Sequence, residues 1–162
     1  KKINGLISTF FGYGYLTKIP GTVTSLVTTV FIYIAYEYLG YTDLKFSIIF
    51  FTLLFFYSFY AVKDAESEFK NKDPRQIVID EVLGQAMPLI LLLHLSQNNQ
   101  LSLPIEIYYA LSFLFFRFFD IIKPFPVSYF DKNFKNYFGI IMDDIMAGLY
   151  SMILIYLISL KF

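Results

Sequence analysis

Cysteine and tryptophan are absent from the 162 residues, and histidine occurs once, as His94. Without cysteine there is no disulfide, no thiolate-held zinc and no thiol nucleophile. A single histidine rules out a histidine-rich metal centre and argues against a histidine-based triad. Charge is scarce as well, at 16% of residues against roughly a quarter in soluble domains. Thirteen basic and thirteen acidic residues cancel, so the basic field that nucleic-acid binding needs is missing, and no nucleic-acid partner is expected. Lys1 and Lys2 precede a Gly-broken stretch without a small-residue cleavage site, so no secretory signal is expected.

What fills the chain is apolar: 57% hydrophobic residues, with 20 Phe and 14 Tyr. Five apolar segments run roughly from Thr22 to Leu39, Phe46 to Val62, Ile77 to Leu95, Ile105 to Ile122 and Ile145 to Leu160. Each approaches the ~20 residues a helix needs to cross ~30 Å of hydrocarbon. Together they leave no room for a separate soluble domain, so residues 1–162 are expected to form one all-α, polytopic membrane bundle. The connecting segments set its orientation. Lys1, Lys2, Lys18, Lys63, Lys70, Lys72, Arg75, Arg117, Lys123, Lys132 and Lys135 share one side, against Lys45 and Lys161 on the other. The positive-inside rule then puts the N-terminus in the cytoplasm and the C-terminus outside. Ser96 to Pro104, which carries no charge, fits the outer side.

The same sorting sends most acids to the cytoplasmic end, leaving Glu37, Asp43 and Glu106 outside. Asp80 and Glu81 begin the third span within Ile77-Val78-Ile79-Asp80-Glu81-Val82-Leu83. An acid pair in so apolar a run costs about 2.5–3.5 kcal/mol per charge at mid-bilayer. A helix N-terminus would ease that cost through its dipole, but apolar neighbours on both sides point to a shielded site. Arg117 and Asp120 share a helix face, and Lys123 follows before Pro124 and Pro126 stop the helix. They read either as an ordinary ion pair or as a phosphate-binding base beside a metal-ligating or proton-transferring acid. Asp143 and Asp144 open the fifth span, where helix capping is the plainer reading. Ala147 and Gly148 behind them permit close packing, which would carry both acids toward Asp80 and Asp120. Pro20-Gly21-Thr22-Val23-Thr24-Ser25 leads into the first span. It offers either an ordinary turn and cap or free N–H groups and hydroxyls for an anion. His94 lies far from these acids and reads as a packing or interfacial residue, whereas Asp64 and Asp73 are candidate helpers from a cytoplasmic loop. The carboxylates suit a hard cation such as magnesium, and Arg117, Lys123 and the helix start suit phosphate. Metal beside phosphate is the apparatus of metal-assisted phosphoryl hydrolysis. The rival is a small ion-coupled transporter or channel subunit, which would need polar groups at the midplane and outer half as well.

Four blocks in order resemble the phosphatidylglycerophosphatase A family. They are Gly12-Tyr13-Gly14 through Pro20-Gly21-Thr22 and Ser25; Ile77-Val78-Ile79-Asp80-Glu81 with Gly84; Phe116-Arg117-Phe118-Phe119-Asp120 with Lys123-Pro124-Phe125-Pro126; and Gly139-Ile140 with Met142-Asp143-Asp144 and Ala147-Gly148. The resemblance implies a membrane-embedded, magnesium-dependent hydrolase of the bacterial cytoplasmic membrane. Its substrate would be phosphatidylglycerophosphate and its active site would face the cytoplasm. Catalytic residues would be Asp80, Glu81, Asp120, Asp143 and Asp144, with Asp80, Glu81 and Asp144 as metal ligands. Arg117, Lys123, Thr22 and Ser25 would bind phosphate. Two departures stiffen the loops: Thr24 where the family usually has glycine, and Asn136-Tyr137 where a glycine pair would precede Gly139.

Overall fold

The computed structural model of the chain describes residues 2–15, 18–66 and 76–161, and among these there is no strand. A short α1 (Lys2–Ser8) and a single 3-10 turn (Tyr13–Tyr15) lead to α2 (Pro20–Tyr33), which runs on as a π-helical turn over Ile34–Tyr38. Then come α3 (Leu44–Glu66), α4 (Ile79–Gln97), α5 (Ile105–Ile122), a short α6 (Val127–Asn133) and α7 (Tyr137–Lys161). The five expected segments correspond to α2 with its π turn, α3, α4, α5 and α7. Sequence patterning foresaw neither α1 nor α6.

Three of these helices are long and apolar enough to cross a bilayer: α3 over Leu44–Ala65, α4, and α7 over Tyr137–Leu160. The remaining two are shorter in their apolar reach. α2 has 14 residues before the π turn, and α5 has 18 residues that include Glu106, Arg117 and Asp120. α4 is the central element: 61% of its apolar window is buried, against 17% for α3. Accordingly α3 turns Phe46, Ile49, Phe50, Leu53, Phe56 and Tyr60 outward. A bilayer would solvate such a face, and water would not.

α4 lies against α7 at backbone distance, because two glycines face each other. A Cβ on Gly148 would stand 2.4 Å from the Gly84 carbonyl oxygen, and one on Gly84 would stand 2.6 Å from the Asp144 carbonyl oxygen. This is the small-residue packing expected of Ala147 and Gly148, with Gly84 as the partner.

α7 departs most from the sequence expectation. It begins at Tyr137 rather than Ile145, because Asn136 caps it: Asn136 Oδ1 accepts from the N–H groups of Phe138 (3.2 Å) and Gly139 (3.3 Å). Asp143 and Asp144 are therefore about two turns inside the helix and do not cap it.

Candidate active site

α2, α4 and α7 start, and α5 stops, around one cavity of about 480 Å³. Its lining includes Thr22, Asp80, Glu81, Arg117, Asp120, Lys123, Asp143 and Asp144, eight of the nine residues expected from sequence. The ninth, Ser25, does not line it. It is buried one turn further along α2, off the cavity wall, and its hydroxyl donates to the Gly21 carbonyl at 2.8 Å. A serine inside a helix commonly satisfies itself on the carbonyl four residues back, and here the hydroxyl's proton is used within α2.

The five acids divide by partner. Asp80 and Glu81 sit in the first turn of α4, and Asp144 comes from α7. One carboxylate oxygen from each lies within 4.8 Å of the others. Asp80 and Asp144 are buried, and Glu81 Oε2 is buried with no hydrogen-bond partner. Three such oxygens converging from two helices fit a hard divalent cation. Asp120 and Asp143 each meet a base. Asp120 Oδ2 is 2.6 Å from Arg117 Nη1, with both side chains 14% exposed. Asp143 Oδ2 accepts from Lys123 Nζ at 2.6 Å, while Asp143 Oδ1 accepts from the Asp144 N–H at 3.0 Å.

Arg117 faces the trio across the start of α2. A Cβ on Gly21 would lie 2.2 Å from Glu81 Oε1 and 3.4 Å from Arg117 Nη1, so a side chain here would have to displace the end of Glu81. Pro20 opens α2, and the first-turn N–H groups of Gly21 and Thr22, two residues of the cavity lining, have no intrahelical acceptors. The buried Arg117 Nε likewise has no acceptor.

Lys123 adopts a left-handed backbone (φ 49°) at the end of α5, which aims its side chain toward α6 and α7. Its Nζ also donates to Asp131 Oδ1 of α6 at 2.7 Å. Burial alone would push this ammonium down. The charge of Asp143, then hydrogen bonds to Asp131 and Asp143, outweigh it and hold Lys123 above the usual lysine range. Burial likewise pushes Asp131 up, but the bond and charge of Lys123, then Lys135 and Lys132, bring it below the ordinary aspartate value.

Asp131, Lys18 and Lys135 also line the cavity and were not singled out from sequence. The short α6 segment between Pro126 and Asn133 was the available signal, since a helix there turns Asp131 back toward Lys123. Asp64 lies within α3, not in a loop, and accepts from Asn4 Nδ2 at 2.9 Å away from the cavity. Asp73 lies outside the described residues. His94 is in the last turn of α4, where its Nδ1 is 3.3 Å from Asn98 Nδ2.

The profile of one family, phosphatidylglycerophosphatase A, matches residues 6–159 and so covers every element that builds the cavity. The chain belongs to the phosphatidylglycerophosphatase A family. Three relatives match over most of the chain. A phosphatidylglycerophosphatase A of Haemophilus influenzae is 34% identical over 154 residues, covering 95% of this chain and 87% of that protein. One of Escherichia coli is 29% identical, covering 95% and 82%. A Bacteroides thetaiotaomicron protein, provisionally named a phosphatidylinositol-3-phosphatase, is 36% identical, covering 93% and 89%. No solved structure matches the chain. Each of the four blocks that resemble the family contributes residues to the cavity lining. The two departures fall beside them: Thr24 is buried on α2, and Asn136 caps α7.

Proposed function

We propose that this chain is a magnesium-dependent lipid phosphatase of the bacterial cytoplasmic membrane. It hydrolyses the terminal phosphomonoester of phosphatidylglycerophosphate to phosphatidylglycerol and inorganic phosphate. The observation that carries this reading is the meeting of the Asp80, Glu81 and Asp144 carboxylates with Arg117, Lys123 and the start of α2 in one cavity. In the reaction the bond between phosphorus and the glycerol oxygen breaks. The oxygen of a water molecule ends on phosphorus, and a proton ends on the departing alkoxide.

The side chains divide the work. The Arg117 guanidinium and the Gly21 and Thr22 N–H groups hold the non-bridging phosphate oxygens, with Asp120 fixing the guanidinium plane. Lys123, anchored on Asp131 and Asp143, adds a fixed positive charge at the opposite wall. Asp80, Glu81 and Asp144 would hold the magnesium, which when bound supplies charge against the phosphoryl oxygens. Burial of the trio keeps bulk water from weakening these interactions.

For the membrane arrangement we propose five spans, α2 to α5 and α7, with the N-terminus and the cavity on the cytoplasmic side. The bias of basic residues supports that orientation, as does the gathering of four helix ends at one level.

The test is phosphate release by purified protein in detergent micelles from phosphatidylglycerophosphate, phosphatidic acid and phosphatidylinositol 3-phosphate, with magnesium and with excess chelator. The expected result is fastest release from phosphatidylglycerophosphate and loss on chelation. Asp144→Asn should lower kcat by at least about a hundredfold without changing helix content. Full activity in chelator would exclude the metal reading, and preference for another lipid phosphate would reassign the substrate.

A further inference from the structure

Four cations line the cavity: Lys18, Arg117, Lys123 and Lys135. Three have carboxylate partners: Arg117 has Asp120, Lys123 has Asp131 and Asp143, and Lys135 lies 3.8 Å from Asp131. Among the described residues Lys18 has none. It is exposed at the lip, immediately before Ile19 and the N-terminus of α2. Ile19 is 61% exposed although it lines the cavity. So is Ile121, 68% exposed and one turn beyond Arg117 on α5. Gly21 places the α2 start against Arg117, so Lys18, Ile19 and Ile121 belong to the same stretch of rim. On the α6 side, by contrast, Asp131 and Lys135 offset each other. The α2–α5 lip therefore pairs Lys18, which has no carboxylate partner among the described residues, with two apolar side chains open to the surroundings.

That combination complements a ligand with a second anion outside the reacting phosphate, followed by hydrocarbon. Phosphatidylglycerophosphate has this order: terminal phosphate, glycerol, internal phosphodiester, diacylglycerol. Resting on the function proposed above, we infer that Lys18 binds the internal phosphodiester while Ile19 and Ile121 contact the diacylglycerol backbone and first acyl methylenes. The cavity is then a two-anion site. The inner phosphate is read by Arg117 and Lys123, the outer one by Lys18, and the lipid enters between α2 and α5. The lip thereby distinguishes a lipid with two phosphates from phosphatidic acid, which has only the inner one.

The two products separate these claims, because phosphatidylglycerol retains the phosphodiester and chains whereas inorganic phosphate is the transferred group alone. Inhibition of wild type, Lys18→Gln and Lys18→Arg by each product would be measured in nonionic detergent micelles. One lysine near an anionic lipid phosphate corresponds to about fivefold in binding. Lys18→Gln is expected to raise the inhibition constant of phosphatidylglycerol, and the KM of the substrate, by that factor. The constant for inorganic phosphate should stay within about twofold, and Lys18→Arg should restore lipid binding. An Ile19→Ser, Ile121→Ser double variant is expected to weaken phosphatidylglycerol in the same selective way. The inference is overturned if Lys18→Gln leaves phosphatidylglycerol inhibition unchanged, if it weakens both products equally, or if phosphatidylglycerol fails to inhibit the wild type. Absence of phosphate release by the wild type would instead overturn the underlying function, and this inference with it.

Discussion

At the scale of single residues, two ion pairs border the carboxylate trio. Arg117 and Asp120 form a half-buried pair at 2.6 Å, and the two roles open to it give opposite outcomes. If the pair only neutralises itself, the double variant Arg117→Gln, Asp120→Asn leaves no unpaired charge and should work. If Arg117 grips phosphate, the double variant should stay at least about a hundredfold slow while remaining folded. Arg117→Lys, which keeps charge but loses the planar fork, should retain a small residual rate. Phosphate release by the three folded variants decides between the roles. The Lys123–Asp131 bond is a separate matter of stability. Lys123 is raised in the folded protein, so its contribution is complete below about pH 10, the unfolded lysine value, and fades as pH rises through the folded one. Asp131 is lowered, so its contribution is complete above about pH 4 and fades as pH falls through its folded value. Between about pH 5 and pH 9 the bond is fully formed. Asp131→Asn should therefore lower the unfolding temperature in detergent near neutral pH, and the penalty should fade above about pH 10 and below about pH 4. An unfolding temperature unchanged by Asp131→Asn at neutral pH would contradict this assignment.

At the scale of elements, the α4–α7 contact sets the distance between the metal-ligand candidates. Asp80 and Glu81 belong to one helix and Asp144 to the other, and Gly84 touches the Asp144 carbonyl oxygen itself. Gly148→Ala would put a methyl group 2.4 Å from the Gly84 carbonyl oxygen, where the obstacle is backbone and cannot rotate away. Overpacking of this kind costs about 1–3 kcal/mol. A displacement of roughly 1 Å at the carboxylates can cost about a hundredfold in rate. Lowered thermal stability together with a larger loss of kcat is the expected result. Wild-type stability and rate in Gly148→Ala would show that the two helices tolerate separation.

For the whole molecule, the absence of cysteine makes the proposed topology directly testable. Single cysteines at Asn99, between α4 and α5, and at Lys132, in α6, stand at opposite ends of the bundle. In intact cells an impermeant thiol reagent should label position 99 and spare position 132 until the membrane is opened. Labelling of position 132 from outside would invert the orientation and put the cavity on the wrong side for a cytoplasmic reaction.

The sequence by itself determined the all-helical architecture, through runs too apolar and too poor in charge for water. It also determined the identity of the charged groups, because an acid or a base inside such a run is too costly to be incidental. The seven charged candidates were picked out on that ground, and all seven line the cavity, as does Thr22. Ser25 could not be placed in the same way, since a hydroxyl can satisfy itself on its own helix, and nothing local tells which it does. The start of α7 was misplaced because the Asp143–Asp144 pair looked like a helix boundary. The cap at Asn136 puts the boundary eight residues earlier and the acids inside. Which acids stand together and which are held by bases was decided only by tertiary structure. Asp143 and Asp144 are adjacent in sequence, yet successive helical residues point about 100° apart, and so one meets Lys123 while the other meets Asp80 and Glu81. Lys18 illustrates the same limit: among the described residues it lacks a carboxylate partner, a property of the folded rim that cannot be read from the order of residues in the chain.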